Sequence, residues 1–125
     1  MVPKIRALTS GERRALEQFA HLTITIEDLR ENLRKVLQFD FKESERKLSC
    51  RFLVPQPGIR VDQADIRRAM DKHVREEIST DQLADWATML LLNDAYDWEG
   101  SDEEEIATWL NEISTLTLKR NASDT

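Results

Sequence analysis

The chain has 125 residues and is rich in charge, with 24 Asp and Glu against 18 Lys and Arg and a formal net charge of −6. That length suits one domain with a real core, and only three glycines and three prolines argue against a turn-rich all-β fold. No apolar run approaches the roughly 18–20 residues of a membrane span, and the first ten residues carry no apolar signal core. The single cysteine, Cys50, cannot close an internal disulfide, so a reduced, cytoplasmic setting fits best.

The charge is uneven. Residues 1–60 hold twelve Lys and Arg against eight Asp and Glu, a net of +4, whereas residues 61–125 hold six against sixteen, a net of −10. The densest run is Asp94, Asp97, Glu99, Asp102, Glu103, Glu104 and Glu105, with no basic residue among them. Such asymmetry bears on partners rather than on fold.

In chain order, Thr9 or Ser10 can cap a short helix through Glu12 to Ala20, with Ala15, Leu16, Phe19 and Ala20 on one face. After a connector at residues 21–24, a second helix is predicted from Thr25, with Asp28 at N3, to about Leu37. Its stripe is Ile26, Leu29, Leu33, Val36 and Leu37. The period then changes to two. Phe39 and Phe41, then Leu48, Cys50, Phe52 and Val54, alternate with more polar residues, which predicts an antiparallel hairpin over residues 39–54 turning at 43–46. An isolated hairpin is marginal in water, so its phenylalanines must pack on a helix. The competing reading extends the preceding helix through Glu45.

Pro55, Pro57 and Gly58 mark a connector, residues 55–61, between a basic N-terminal half (1–54) and an acidic helical half (62–118) that ends in a frayed tail (119–125). Neither half is large enough for its own core, so a single domain is expected. Asp62, followed by Asp65, opens the next helix, whose stripe is Ile66, Ala69, Met70, His73, Val74 and Ile78. A very short corner at residues 78–80 leads into a capping box, Ser79 with Gln82, and a stripe of Leu83, Trp86, Ala87, Leu90 and Leu91. So short a connection makes the two helices neighbours, with Trp86 beside Ala87 as the contact point. An acidic loop carrying Tyr96 and Trp98 follows. Ser101 and Glu104 form another capping box, before a last helix whose Ile106, Trp109, Leu110 and Ile113 face the core and to which Leu116 and Leu118 add. The sum is an α+β fold, mostly helical, with about five helices and one small antiparallel β-hairpin. Trp86 and Trp109 are expected in one interior.

The chemistry is sparse. His21 and His73 are the only histidines and neither has a partner at metal-ligand spacing. His73 reads as a hydrogen-bonded boundary residue and Cys50 as a buried strand cysteine rather than a nucleophile. A calcium loop fails, because placing Gly100 at its sixth position puts Ala95 at the first. There is no glycine-rich phosphate loop and no nucleophile elbow, so no enzyme, cofactor or metal is expected. Capping and a solvated face account for many of the acids; Tyr96 and Trp98 are either core plugs or a binding hot spot. The candidate partner-binding set is Asp94, Tyr96, Asp97, Trp98, Glu99, Asp102 and Glu103. Arg30, Arg34 and Lys35, with Arg46, Lys47 and Arg51, offer an alternative, a small regulatory module that binds nucleic acid. Interleaved Glu27, Asp28, Glu31, Glu43 and Glu45 deny it a clean basic stripe.

Across residues 61–116 the pattern Val-x-x-x-Asp-Ile-x-x-Ala-Met, Glu-Ile-Ser-x-x-Gln-Leu-x-x-Trp-Ala, Tyr-Asp-x-Glu and Ile-x-x-x-Leu-x-x-Ile resembles small, acidic, mostly uncharacterised bacterial proteins, some similar to immunity proteins of polymorphic toxin systems. The resemblance covers under half the chain and rests largely on capping and core positions. It implies a soluble, inhibitor-like protein that binds a basic protein partner such as a toxin, with no catalytic residues to carry over.

Overall fold

The structure, a computed structural model, describes residues 5–41, 46–98, 100 and 102–116. Helices α1 (Ser10–Ala20) and α2 (Ile26–Asn32) lead into strands β1 (Leu37–Asp40) and β2 (Lys47–Cys50). Strand β3 (Ile59–Arg60), helices α3 (Gln63–Val74) and α4 (Thr80–Leu92), strand β4 (Tyr96–Asp97) and helix α5 (Glu103–Ser114) complete the order. The fold is α+β and mostly helical. Among the described residues no helix is long and apolar enough to cross a membrane.

Four helices begin with a side chain that satisfies an orphan amide of the first turn. Thr9 with Glu12, Thr25 with Asp28, Asp62 with Asp65 and Ser79 with Gln82 each make both bonds of a capping box. Helix α5 differs: its N-cap is Asp102, which makes no side-chain cap bond, and the dipole instead meets Glu103, Glu104 and Glu105 in the first turn. Ser101, expected as that cap, lies outside the described residues, as do residues 42–45 of the hairpin turn, Leu118 and the tail 119–125.

Two helices end without the glycine that usually marks such ends. After α1, Leu22 (φ 58°) donates to the Phe19 carbonyl and Thr23 to that of Gln18. After α3, Glu76 (φ 62°) donates to His73 and Glu77 to Lys72. Each pair is a Schellman close with a side chain in the left-handed region. Helix α3 therefore stops at Val74, and the corner before α4 is five residues rather than the three expected. Helix α2 is also shorter than its stripe suggested. It stops at Asn32, and Leu33, Val36 and Leu37 reach the core from a turn and from β1.

The hairpin forms. β1 and β2 pair antiparallel, with Leu37 opposite Cys50 and Asp40 opposite Lys47, and Arg30 stacks on Phe39, its guanidinium carbon 4.4 Å from the ring centroid. The alternation does not run to residue 54, however. After Cys50 the chain turns away to pair Phe52 with Arg6 in a parallel bridge, so Phe52 is buried while Cys50 and Val54 are exposed. Cys50 is thus not the buried strand cysteine that its period implied. Burial of the thiol itself, with Asp94 adding to it, still pushes its pKa up to about 11, which makes it a poor nucleophile at neutral pH.

One apolar cluster joins both halves of the chain, from Leu16 and Phe19 of α1 through Leu29, Val61 and Leu83 to Leu110 of α5. Trp86 is fully buried, and its indole donates to the Ala20 carbonyl at 3.1 Å, a C-terminal group of α1 left over by the helix. Helix α4 makes its most extensive packing with α5 rather than with α3. The stripe of α3 splits accordingly. Ile66 and Ala69 are buried, but Met70 is 40% and Val74 76% exposed, and Trp109 of α5 is only half-buried. Trp86 thus lies at the centre of the interior, and Trp109 packs against the same cluster from its edge.

Candidate functional site

The acidic loop is held from behind by backbone. Asn93, 1% exposed, ends α4, and its side-chain oxygen accepts from the amide of Ala95 at 3.0 Å. β4 then lies parallel to β3: the amides of Ile59 and Val61 donate to the carbonyls of Ala95 and Asp97, both at 2.8 Å. Pairing at two residues a side cannot alternate long enough to be read from period. Gly58 permits it, because a Cβ there would lie 3.1 Å from that of Asp97. Gly100, at φ +142°, closes the loop against the Arg60 guanidinium, which a Cβ would meet at 2.9 Å.

This frame divides the candidate residues. Tyr96 leaves the surface: it is 5% exposed, and its hydroxyl donates to the Leu16 carbonyl at 2.7 Å. Burial raises its pKa well above the ordinary value. It is a core plug, because the loop arrives on β3 with that face inward. Trp98 is half-buried and packs on the edge of the core, and Asp97 is half-buried beside it. Asp94, Asp102 and Glu103 are exposed, and Glu99 lies outside the described residues. Among the described residues no ion pair reaches Asp94, Asp102, Glu103 or Glu104. Arg60, adjacent through Gly100, borders this patch with one positive charge. What remains are exposed carboxylates at Asp94, Asp102 and Glu103, flanking in sequence a half-buried indole in a loop held by backbone pairing.

The basic residues are distributed differently. Arg30 is stacked on Phe39, Arg34 pairs with Glu31 at 3.5 Å, and Arg46 donates to the Thr88 hydroxyl. Lys35, Lys47 and Arg51 are exposed. Three of these cations, Arg30, Arg34 and Arg46, thus already engage groups of the chain itself.

Two further features lie outside the candidate set. Asp65, 3% exposed, lies 2.8 Å from His21 Nδ1, accepts from Arg68 at 2.8 Å and from the Asp62 amide at 3.0 Å. It ties the end of α1 to the start of α3; Asp65 and His21 are 44 residues apart, which no local pattern reveals. His73 meets the Thr80 hydroxyl at 3.0 Å, a satisfied boundary histidine. The second is a trough of about 560 Å³ between α3 and α5, lined by Ile66, Met70, Val74, Trp109 and Ile113. Its signal was present, since α3 carried more apolar positions than its neighbours could cover. Among the described residues no group of three His, Cys, Asp or Glu could hold a metal ion.

Compared with family models, with curated proteins and with solved structures, the chain matches none of them.

Proposed function

We propose that this chain is a non-enzymatic partner-binding protein, immunity- or inhibitor-like, working in the cytoplasm and presenting its acidic side to a basic protein partner such as a toxin. The observation that carries the proposal is the exposure of Asp94, Asp102, Glu103 and Glu104 with no ion pair among the described residues. Unspent carboxylates on a fixed frame keep a field that reaches about 10 Å at 0.1 M salt. Such a field raises the encounter rate with a cationic partner and repels like-charged ones. Trp98 at the edge supplies apolar area next to the charge, the pairing that interface hot spots use.

The test titrates the protein with a small basic protein and, separately, with duplex DNA, from low to high ionic strength. Complex formation with the basic protein that weakens steadily with salt, and that is lost on Asp94→Asn with Asp102→Asn and Glu103→Gln, is the expected result. Retention of DNA at low salt without retention of the basic protein would instead support nucleic-acid binding through Lys35, Lys47 and Arg51.

A further inference from the structure

The trough between α3 and α5 is an apolar feature that the fold leaves uncovered. Its floor, Ile66 and Ile113, is 3% and 6% exposed, yet its walls are Met70 at 40% and Val74 at 76%. Trp109, half-buried, stands opposite them. An isolated exposed valine is ordinary, but a valine, a methionine and an indole around one volume of about 560 Å³ form a contiguous seat. Two helices side by side with a gap between their facing stripes are the geometry into which a third helix packs, apolar side down.

Charge decides what kind of helix. Helix α5 carries Glu103, Glu104, Glu105 and Glu112 and no basic residue. Glu105 and Glu112 stand four before and three after Trp109, so they flank the indole on its own face, and both are exposed. On the α3 side Gln63 donates to Glu105 at 3.1 Å, Arg67 lines the trough and donates to Gln63 at 3.5 Å, and Asp71 is held by Arg75 at 3.3 Å, so the acidic wall is that of α5. A second copy that set α5 against α5 about a twofold axis would meet like charge, which disfavours that arrangement. A cationic helix would not meet that repulsion.

We infer that the α3–α5 trough seats a cationic amphipathic helix of the partner, its apolar stripe on Met70, Val74 and Trp109 and its Lys or Arg side chains along Glu105 and Glu112. The charge half of this inference rests on the acidic-surface proposal; the apolar half does not. The whole chain is titrated with three probes, a helical Leu/Lys peptide, its Leu/Glu counterpart and polylysine, with the Trp109 indole N–H followed by NMR. The Leu/Lys peptide should bind, shift the Trp109 signal and outcompete polylysine, and the Leu/Glu peptide should not bind. Val74→Glu adds a negative charge yet removes apolar contact, so it should weaken the Leu/Lys peptide by about tenfold. Unchanged or tighter binding by Val74→Glu would overturn the trough while leaving the acidic-surface proposal standing. Failure of both cationic probes at low salt would sink the acidic surface itself. A wild-type dimer that Val74→Glu dissociates would assign the trough to a second copy. Val74 is largely exposed, so the substitution leaves the core intact, and Val74→Ala repeats the measurement with a smaller change.

Discussion

Asp85 of α4 shows how a single side chain trades stability against pH. Burial pushes its pKa up to about 6. Asp81 and Glu27 add to that rise, and Arg46 and Arg30 oppose it without cancelling it. In the unfolded chain the same carboxyl titrates near 4. The folded state therefore holds the extra proton between those values, and stability contributed by the protonated form is present at low pH and lost as pH rises through about 6. Asp85→Asn should stabilise the protein at pH 7 by about 1 kcal/mol, a figure reduced for partial solvent screening, and by nothing near pH 3.5. Urea midpoints at the two pH values measure this; equal gains at both would mean the effect is steric. Glu12 runs the other way. Its bidentate bonds to Arg6, both 2.7 Å, hold its pKa down to about 2 despite some burial, so its contribution is present at neutral pH and lost on acidification. Neither residue could be singled out from sequence, because Asp85 lies among ordinary polar residues of a helix and acquires its environment only when α2 and Arg46 come against α4.

At the scale of elements, starts were legible and stops were not. A cap acts over three residues, so Thr25 with Asp28 and Ser79 with Gln82 announce a helix locally. The end of α3 is closed by Glu76 at φ 62°, where a glycine would have given the signal and glutamate gives none. The apolar period ran on to Ile78 in the sequence for that reason. The same substitution that would have made the end readable should also make it more stable. A side chain in the left-handed region costs roughly 1 kcal/mol relative to glycine, so Glu76→Gly should raise stability by several tenths of a kcal/mol or more, net of the added freedom of the unfolded chain. Thermal melts decide it. A loss would mean that the Glu76 side chain makes a contribution that outweighs its backbone conformation. The parallel pair β3–β4 was invisible for a different reason: two residues a side carry no period, and their contact joins segments 37 positions apart, Ile59 with Tyr96. That pairing turns Tyr96 inward, and so the candidate set lost one of its two aromatic rings.

For the molecule as a whole, the question is whether the charges hold the fold together or strain it. The ion pairs among the described residues are mostly exposed at one partner or both, as in Arg34–Glu31 and Arg75–Asp71, and such pairs contribute about 0–1 kcal/mol each. Arg6–Glu12 and the Asp65 cluster are better enclosed, and they involve none of Asp94, Asp102, Glu103 or Glu104. Residues 61–125 carry a net charge of −10, from sixteen acids against six bases, and their open face has no internal partner for Asp94, Asp102, Glu103 or Glu104 among the described residues. Repulsion across that face acts over several ångströms and is screened by salt, whereas short, enclosed pairs are screened much less. Added sodium chloride should therefore stabilise the isolated protein. Its melting temperature should rise by a few degrees between about 0.01 M and 0.15 M, as the Debye length falls from about 30 to 8 Å. It should plateau beyond that, and the rise should shrink when Asp94, Asp102 and Glu103 are replaced by their amides. A melting temperature that falls with salt would mean that attraction dominates and that the acidic face is compensated from within, leaving no surplus charge for a partner to neutralise. A rise that the triple replacement abolishes would mark the same carboxylates as a burden on the fold.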